Sequence, residues 1–368
     1  MPELLATREI AGRPASAELS TEVQDDAWDT FLSETPLGQF QQSGMWARTK
    51  SEEGWNPTRV VLKVDGRIVG GFQILSGRTR LGPVGYISKG PVALEDVPEW
   101  GDYLVRLAQE VAAKRKLLAM IVQPPDRARI VPGCLDRSRF LANHLVEVIE
   151  STLIVNLQGS FEEVEQRMAR DTRRKVRQSL RRGSVVREGD SGDLPLFFKL
   201  MAATCERQGV KPNPPNEAAL VQLWESFHRR GCVRLTLACV EGEAVSGQLT
   251  LLFGKMIIIW KKGWGGQHGN RHPNDLLTHE SFEWACAKGY HFADFAGLKK
   301  PIAKAILEGR ELSMEQRNGR DAFNLSFGGG PVLLPEARVW LPRPLFRQAY
   351  RLAFSLPGVK ALSRRFSK

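Results

Sequence analysis

The chain is 368 residues long, 42% hydrophobic and 25% charged, with a formal net charge of +11 at pH 7. That length suits two domains of roughly 150 to 180 residues better than one core, and no window approaches the ~18 apolar residues of a membrane-spanning helix. Five scattered cysteines (Cys134, Cys205, Cys232, Cys239, Cys286) without CxxC spacing exclude a disulfide framework. The acidic start (Glu3, Glu9, Glu18, Glu22) does not read as a signal peptide, so a cytoplasmic protein is expected.

In chain order the first strong signal is a hairpin over residues 60–75: a β-branched run, an Asp65-Gly66 turn and a second alternating run. A helix-like stretch (98–115) and an apolar strand (117–123) come next. The pattern then returns at a constant offset of 176 residues, placing Val64 on Val240, Gly66 on Gly242, Val69 on Val245, Gly71 on Gly247 and Leu75 on Leu251. Pro98 falls on Asn274, which opens a helix-like stretch (274–288) feeding a strand (291–296). Two halves in the same order predict a duplicated α/β domain with a cleft between the copies as the place for a site. Two unrelated hairpins would be the plainer reading.

Between the copies lies a basic helix. Ser160 and Glu163 form a capping box, Glu162, Glu163 and Glu165 suit the positive end of the dipole, and Gly183 can close the C-terminus. Phe161, Val164, Met168, Val176 and Leu180 mark one packing stripe. Against a single Asp171, residues 167–182 carry Arg167, Arg170, Arg173, Arg174, Lys175, Arg177, Arg181 and Arg182. The chain has no acid after Glu336, where Arg338, Arg343, Arg347, Arg351, Lys360, Arg364, Arg365 and Lys368 interleave with Trp340, Leu345, Phe346, Tyr350, Leu352, Phe354, Leu356 and Phe366. Either run alone reads as a solvated face. Together they point to a polyanion, a nucleic-acid backbone or an anionic membrane surface, with Arg170, Arg173, Arg174 and Arg177 as the expected contacts.

No P-loop, GxGxxG, GxSxG, HExxH or CxxC pattern is present. His268, His272, His279 and His291 cluster in sequence, but without the spacing a metal needs; they read as turn and helix residues, and neither metal nor cofactor is expected. An apolar strand (256–260) ending on Trp260, a glycine-rich turn, a helix and a strand resemble the order of a GNAT-type acyltransferase core, whose helix N-terminus faces a pyrophosphate. Gln267, Gly269 and Asn270 do not complete the Gln/Arg-x-x-Gly-x-Gly/Ala signature of a coenzyme A loop. Another acyl donor is therefore expected.

Spread from about residue 40 to 335, six pieces resemble the FemABX aminoacyltransferases that build peptidoglycan interpeptide bridges. They are residues 41–50 followed by Gly54-Trp55, Ser88-Lys89-Gly90-Pro91-Val92, residues 173–186, Cys205 through Pro212, the block 274–297, and Phe323-Asn324-Leu325-Ser326-Phe327-Gly328-Gly329. The resemblance implies an α/β (α+β) protein of two tandem GNAT-like domains with mixed sheets flanked by helices. The expected spans are 1–155, 156–330, and a basic segment 331–368 packing on the first domain or a membrane surface. It also implies a monomer that transfers an amino acid from aminoacyl-tRNA to the stem peptide of a peptidoglycan precursor, lipid II or UDP-MurNAc-pentapeptide, with peripheral contact at the inner membrane face.

The resemblance carries over unevenly to single residues. Lys50 and Trp46, four apart on a short helix capped by Ser43 and ended by Gly54, share a face, and Lys50 becomes a binder of the precursor's phosphates. Arg207 matches an arginine the family often has. Lys211-Pro212 stands where members tend to carry Arg-Pro, losing the bidentate fork, and Pro215 replaces a tyrosine. Trp260 joins the substrate-binding set. Asn324 stands where the family commonly has the lysine that stabilises charge near the reacting ester, so Lys299, Lys300 or Lys304 is expected to take over, or the donor to differ. Asp294, at the end of its strand, is the candidate base, or equally a turn acceptor for the Gly297 loop. Two other readings stay open: an N-acyltransferase using an acyl-CoA or acyl carrier donor in envelope synthesis, and a non-catalytic RNA- or membrane-binding protein.

Overall fold

In a computed structural model that describes residues 3–10 and 12–355, the chain divides into two compact units, one formed by residues 1–149 with the segment from 334 onward, the other by residues 150–333. In each unit a mixed sheet is flanked by helices.

The first unit holds β1 (Glu3–Ile10), β2 (Arg13–Ser20), β3 (Asn56–Val64), β4 (Arg67–Thr79), β5 (Gly82–Ser88), β6 (Val92–Ala93), β7 (Ala119–Gln123), β8 (Leu141–Ala142) and, from the far end of the chain, β16 (Arg338–Trp340). Their order is β1-β2-β3-β4-β5-β7-β16-β8, with β6 on β4. Its helices are α1 (Asp26–Glu34), α2 (Gly44–Ser51), α3 (Pro98–Lys114), α4 (Val131–Arg137) and α12 (Pro344–Ser355). In α3, Trp100, Leu104, Leu107 and Val111 recur at helical spacing and pack on Val60, Leu62, Phe72 and Ile74. The pairing of β16 with β7 and β8 draws the late segment into this sheet. The basic and apolar residues Leu356, Lys360, Arg364, Arg365, Phe366 and Lys368 lie outside the described residues.

The second unit holds β9 (Ser151–Asn156), β10 (Val185–Gly189), β11 (Val233–Val240), β12 (Glu243–Phe253), β13 (Met256–Trp264), β14 (Phe292–Asp294) and β15 (Gly330–Leu333), in the order β10-β11-β12-β13-β14-β9-β15. Its helices are α5 (Phe161–Arg167), α6 (Arg170–Arg181), α7 (Leu194–Arg207), α8 (Glu217–His228), α9 (Pro273–Ala287), α10 (Lys300–Leu307) and α11 (Arg320–Leu325). Because β9 pairs with β14 and β15, residues 151–155 belong here, and the boundary falls after 149 where the sequence suggested 155.

The two hairpins match beyond their side chains. Asp65-Gly66 and Glu241-Gly242 both turn with positive φ (48° and 75°; 55° and 87°), as a two-residue hairpin turn requires. The β3–β4 ladder slips between Leu62 (opposite Gly70) and Lys63 (opposite Ile68); the β11–β12 ladder slips between Ala238 (opposite Ser246) and Cys239 (opposite Ala244). Every one of these residues corresponds at the 176-residue offset, so a bulge that twists the ladder sits at the same place in both hairpins. Gly71 and Gly247 correspond too. A Cβ at Gly71 would lie 2.2 Å from the Val60 carbonyl and 2.9 Å from the Trp28 ring of α1; one at Gly247 would lie 2.8 Å from the Phe197 ring of α7. Each glycine lets an aromatic from the covering helix lie on the sheet.

The basic helix is two helices. Ser160 and Glu163 form the capping box of α5 (3.3 and 3.0 Å), but Met168 is extended and the Ala169 N–H donates to the Ser326 carbonyl at 2.8 Å, starting α6 afresh. Val164, Met168 and Val176 are buried, whereas Leu180, placed in the same stripe by its spacing, is 54% exposed. The break shifts the helical phase that the spacing assumed.

Candidate functional site

Strand β13 carries the most unusual side chain in the second unit. It pairs in parallel with β14 only from Met256 to Ile258, yet runs on to Trp264 against β12. Where a strand outruns its parallel neighbour, the side chains beyond the last pair can face a crevice. The β12–β13 ladder steps from Thr250–Ile259 to Leu249–Lys261, leaving Trp260 as an extra residue. That bulge re-aims the side chains beyond it. Lys262, paired with Gln248, therefore shares the face of Ser246 and Gln248, whose side chains bond Asn274 (2.5 Å) and Ser281 (2.8 Å) of α9. Trp260 is half-buried, with the Lys261 ammonium over its ring at 4.6 Å.

The Lys262 ammonium lies 4.7 Å from the Phe295 ring and 4.6 Å from the Phe323 ring, and donates to Asn324 Oδ1 at 3.4 Å. Both rings edge an aromatic cluster with Phe282 and Phe327, and Asn324 is 3% exposed on α11. Burial pulls Lys262 down to about 7; Asp275 opposes the fall and Arg320 adds to it. Asp275, in the first turn of α9, is raised to about 6 by burial, against the pull of Lys175 and Lys262. An amine and a carboxyl with ordinary values of 10.5 and 3.8 thus meet near neutrality, a pattern that clusters at functional sites.

Asp294, the sequence candidate for a base, ends β14 with its Oδ1 accepting from the Thr152 hydroxyl and from the Ala296 N–H at 2.7 Å; Gly297 N–H donates to Thr152 at 3.0 Å. The carboxylate holds the turn to Gly297, the alternative role the sequence allowed. Of the three lysines expected to replace the missing one, Lys300 bonds Glu150 at 2.6 Å, and Lys299 and Lys304 are exposed. Arg207 ends α7 by stacking on Trp264 (4.9 Å) and bonding the Trp264 carbonyl, so it braces the end of β13. Lys211 is exposed in the following loop.

Helix α6 packs beside α9. Arg170, Arg174 and Arg177 are exposed and Arg173 is half-buried. Arg174 and Lys175 hold Asp171 at 2.5 and 2.9 Å. Arg182 donates to the Asn270 carbonyl, and Arg271 donates back to the Arg182 carbonyl at 2.6 Å. His272, which precedes α9, is lowered by burial and then by Lys175, Arg182 and Arg174. A row of cations therefore stands beside the positive end of α9.

In the first unit, Ser43 caps α2 through the Trp46 N–H (3.1 Å), and Trp46 packs edge-on against Phe40. Lys50 lies over the Trp46 ring at 4.9 Å and is ion-paired with Glu53 at 2.7 Å. Trp46 and Lys50 do share a face, and Glu53 holds the ammonium.

Residues 23–131 match the FemAB family and residues 166–301 the acetyltransferase (GNAT) domain. A lipid II:glycine glycyltransferase from Staphylococcus epidermidis is 28% identical over 229 residues, 59% of this chain and 55% of that protein. The protein of the same name from Staphylococcus aureus MRSA252 is 30% identical over 221 residues, 57% and 52%. The chain thus spans about half the length of these curated relatives. The crystal structure of FemX aligns with 87% of this chain and 96% of its own at a TM-score of 0.75 and 19% identity. A tandem GNAT protein from the clavulanic acid biosynthesis pathway aligns with 89% and 99%, at 0.53 and 11%.

The chain is similar to the FemAB family in its first unit and to the acetyltransferase (GNAT) domain in its second.

Its fold is correspondingly a tandem of GNAT-like units. Lys262 and Asp275 are not visible from sequence pattern. An apolar strand that ends at Trp260 passes Lys261 and Lys262 into a glycine-rich turn. The available signal is a Lys-Lys doublet between the apolar run 256–260 and Trp264, since two charges so close to a buried run place at least one amine against the sheet.

Proposed function

We propose that this protein is an aminoacyltransferase that moves an amino acid from the ester of an aminoacyl-tRNA to an amine on the stem peptide of a peptidoglycan precursor. The observation that carries the reading is the amine at Asn324: where the family resemblance expects a lysine at 324, the chain has an amide, and Lys262 brings an ammonium to it from β13. The family and the names of the relatives support the substrate class. An ester is already activated, so the protein must orient the amine, relieve it of a proton and stabilise an oxyanion. The exposed arginines of α6 suit the tRNA backbone, and Lys50 in the first unit suits a phosphate of the precursor.

The test is incubation of purified protein with a pool of charged tRNAs and either lipid II or UDP-MurNAc-pentapeptide. A precursor heavier by one amino-acid residue is expected. Product formed from acyl-CoA and not from charged tRNA would overturn the reading.

No helix among the described residues is long and apolar enough to cross a membrane. Helix α12 nevertheless exposes Leu345 (77%) and Leu352 (69%), seven residues apart on one face, beside the exposed Arg351. This supports peripheral contact with an anionic leaflet carrying the lipid-linked precursor. Full-length protein should co-sediment with phosphatidylglycerol vesicles, and a Leu345→Ser/Leu352→Ser variant should do so several-fold less.

A further inference from the structure

We propose that Lys262 is the proton-transfer residue of this site, its Nζ taking the proton from the ammonium of the incoming acceptor amine. The proposal rests on the aminoacyl-transfer reading and adds the group that reading leaves unassigned. Three placements support it. The Trp260 bulge turns Lys262 toward α9, past the last β13–β14 pair. Phe295 and Phe323 flank its ammonium on β13's open side. Its hydrogen-bond partner is the Asn324 amide oxygen, which accepts without fixing a positive charge as a carboxylate would. Asp294 is committed to the Thr152 hydroxyl and the Ala296 N–H.

The charged groups that act on Lys262 come from two further elements, Asp275 from α9 and Arg320 from α11, while β12 offers the neutral Gln248. With Lys262 near 7, about half of the molecules hold a free base at neutral pH. Taking a proton from an ordinary alkylammonium then costs a factor of roughly a thousand, whereas an ordinary carboxylate would face roughly a million. The neutral amine is the better base by that margin.

The step balances. Neutral Lys262 accepts one proton from R–NH3+ and releases it to solvent. The resulting R–NH2 attacks the ester carbonyl, forming the C–N bond, and Lys262 takes the second proton from the zwitterionic intermediate. As the C–O bond to the ribose breaks, that proton passes to the leaving oxygen. The products are an amide, tRNA with a free hydroxyl, and one proton in solution.

The test is single-turnover transfer across pH 5.5 to 9 with the full-length protein. A base-dependent rate rises with pH through the pKa of the base, so the wild-type profile should have an acidic limb near 7. Lys262→Arg keeps the charge and gives up no proton; a loss of at least about a hundredfold is expected, and wild-type rates with the same limb would overturn the proposal. Asp275→Asn removes a charge that raises Lys262, moving the limb to lower pH. Arg320→Gln removes one that lowers it, moving the limb to higher pH. These shifts keep the proposal falsifiable if Lys262→Arg does not fold, because a limb unmoved in both variants overturns it. An active wild type with unmoved limbs sinks this assignment alone, whereas a wild type inactive with every charged tRNA sinks the aminoacyl-transfer reading and this proposal with it.

Discussion

Arg234, at the start of β11, forks onto Glu280 of α9 at 2.8 and 3.0 Å and lies over the Trp284 ring at 4.4 Å. Its side chain is 7% exposed, and its second carboxylate partner, Glu188 at 3.2 Å, is 65% exposed. The fork fixes the helix that carries Asp275 against the sheet that carries Lys262. Glu280→Ala leaves a guanidinium buried with one wet partner, and should cost about 3 kcal/mol in denaturant unfolding. A loss under about 0.5 kcal/mol would show that Glu188 suffices.

The glycines under the covering aromatics predict an ordered pair of losses. At Gly71, with φ of +155°, an added methyl meets backbone, which cannot rotate away; at Gly247 it meets the flexible Leu237 end and the Phe197 ring. Gly71→Ala should cost more than Gly247→Ala, whose overpacking belongs to the range of about 1–3 kcal/mol. Chemical denaturation of both variants decides it, and the reverse order would refute the steric account.

If α6 contacts a polyanion, replacing Arg170, Arg174 and Arg177 by glutamine should flatten the salt dependence of tRNA binding by about 0.7 to 0.9 in log–log slope per lost phosphate contact. Arg173, half-buried, should matter less for the slope than for stability. An unchanged slope returns these arginines to a solvated face.

Glu53 competes for the Lys50 ammonium with any phosphate that binds there. Lys50→Ala should therefore raise the KM for the acceptor far more than that for the donor, and Glu53→Gln should lower it. In the second unit, Lys211→Arg should tighten any phosphate that binds there by offering a fork in place of a point charge. Equal changes in both KM values would point to folding and not to the acceptor.

How far the fold and the site are legible in the chain depends on how local each feature is. The hairpins are legible because Asp65-Gly66 and Glu241-Gly242 carry their own backbone preference. The capping box at Ser160 is legible for the same reason. The end of α5 is not: nothing within residues 161–181 forbids a continuous helix, and the Ala169 N–H is claimed by Ser326, far along the chain. Lys262 is hidden by a bulge, because alternation counted from the buried Ile257 and Ile259 assigns the α9 face to Lys261. Lys50 can be picked out while its partner Glu53 cannot, since an ion pair between helix end and turn depends on rotamers that spacing does not fix.

In the first unit β5 ends at Ser88, still paired with Gln123 of β7, and Lys89 turns the chain away with φ of 58°. Its counterpart β13 loses β14 after Ile258 and runs on through residues 259–264. One copy of the duplicated frame is thus a zipped seam and the other a seam left open at its end. Substitutions at the closed seam should register in melting curves, and those at the open seam in turnover. A doubled fold can divide its labour by the length of a single strand.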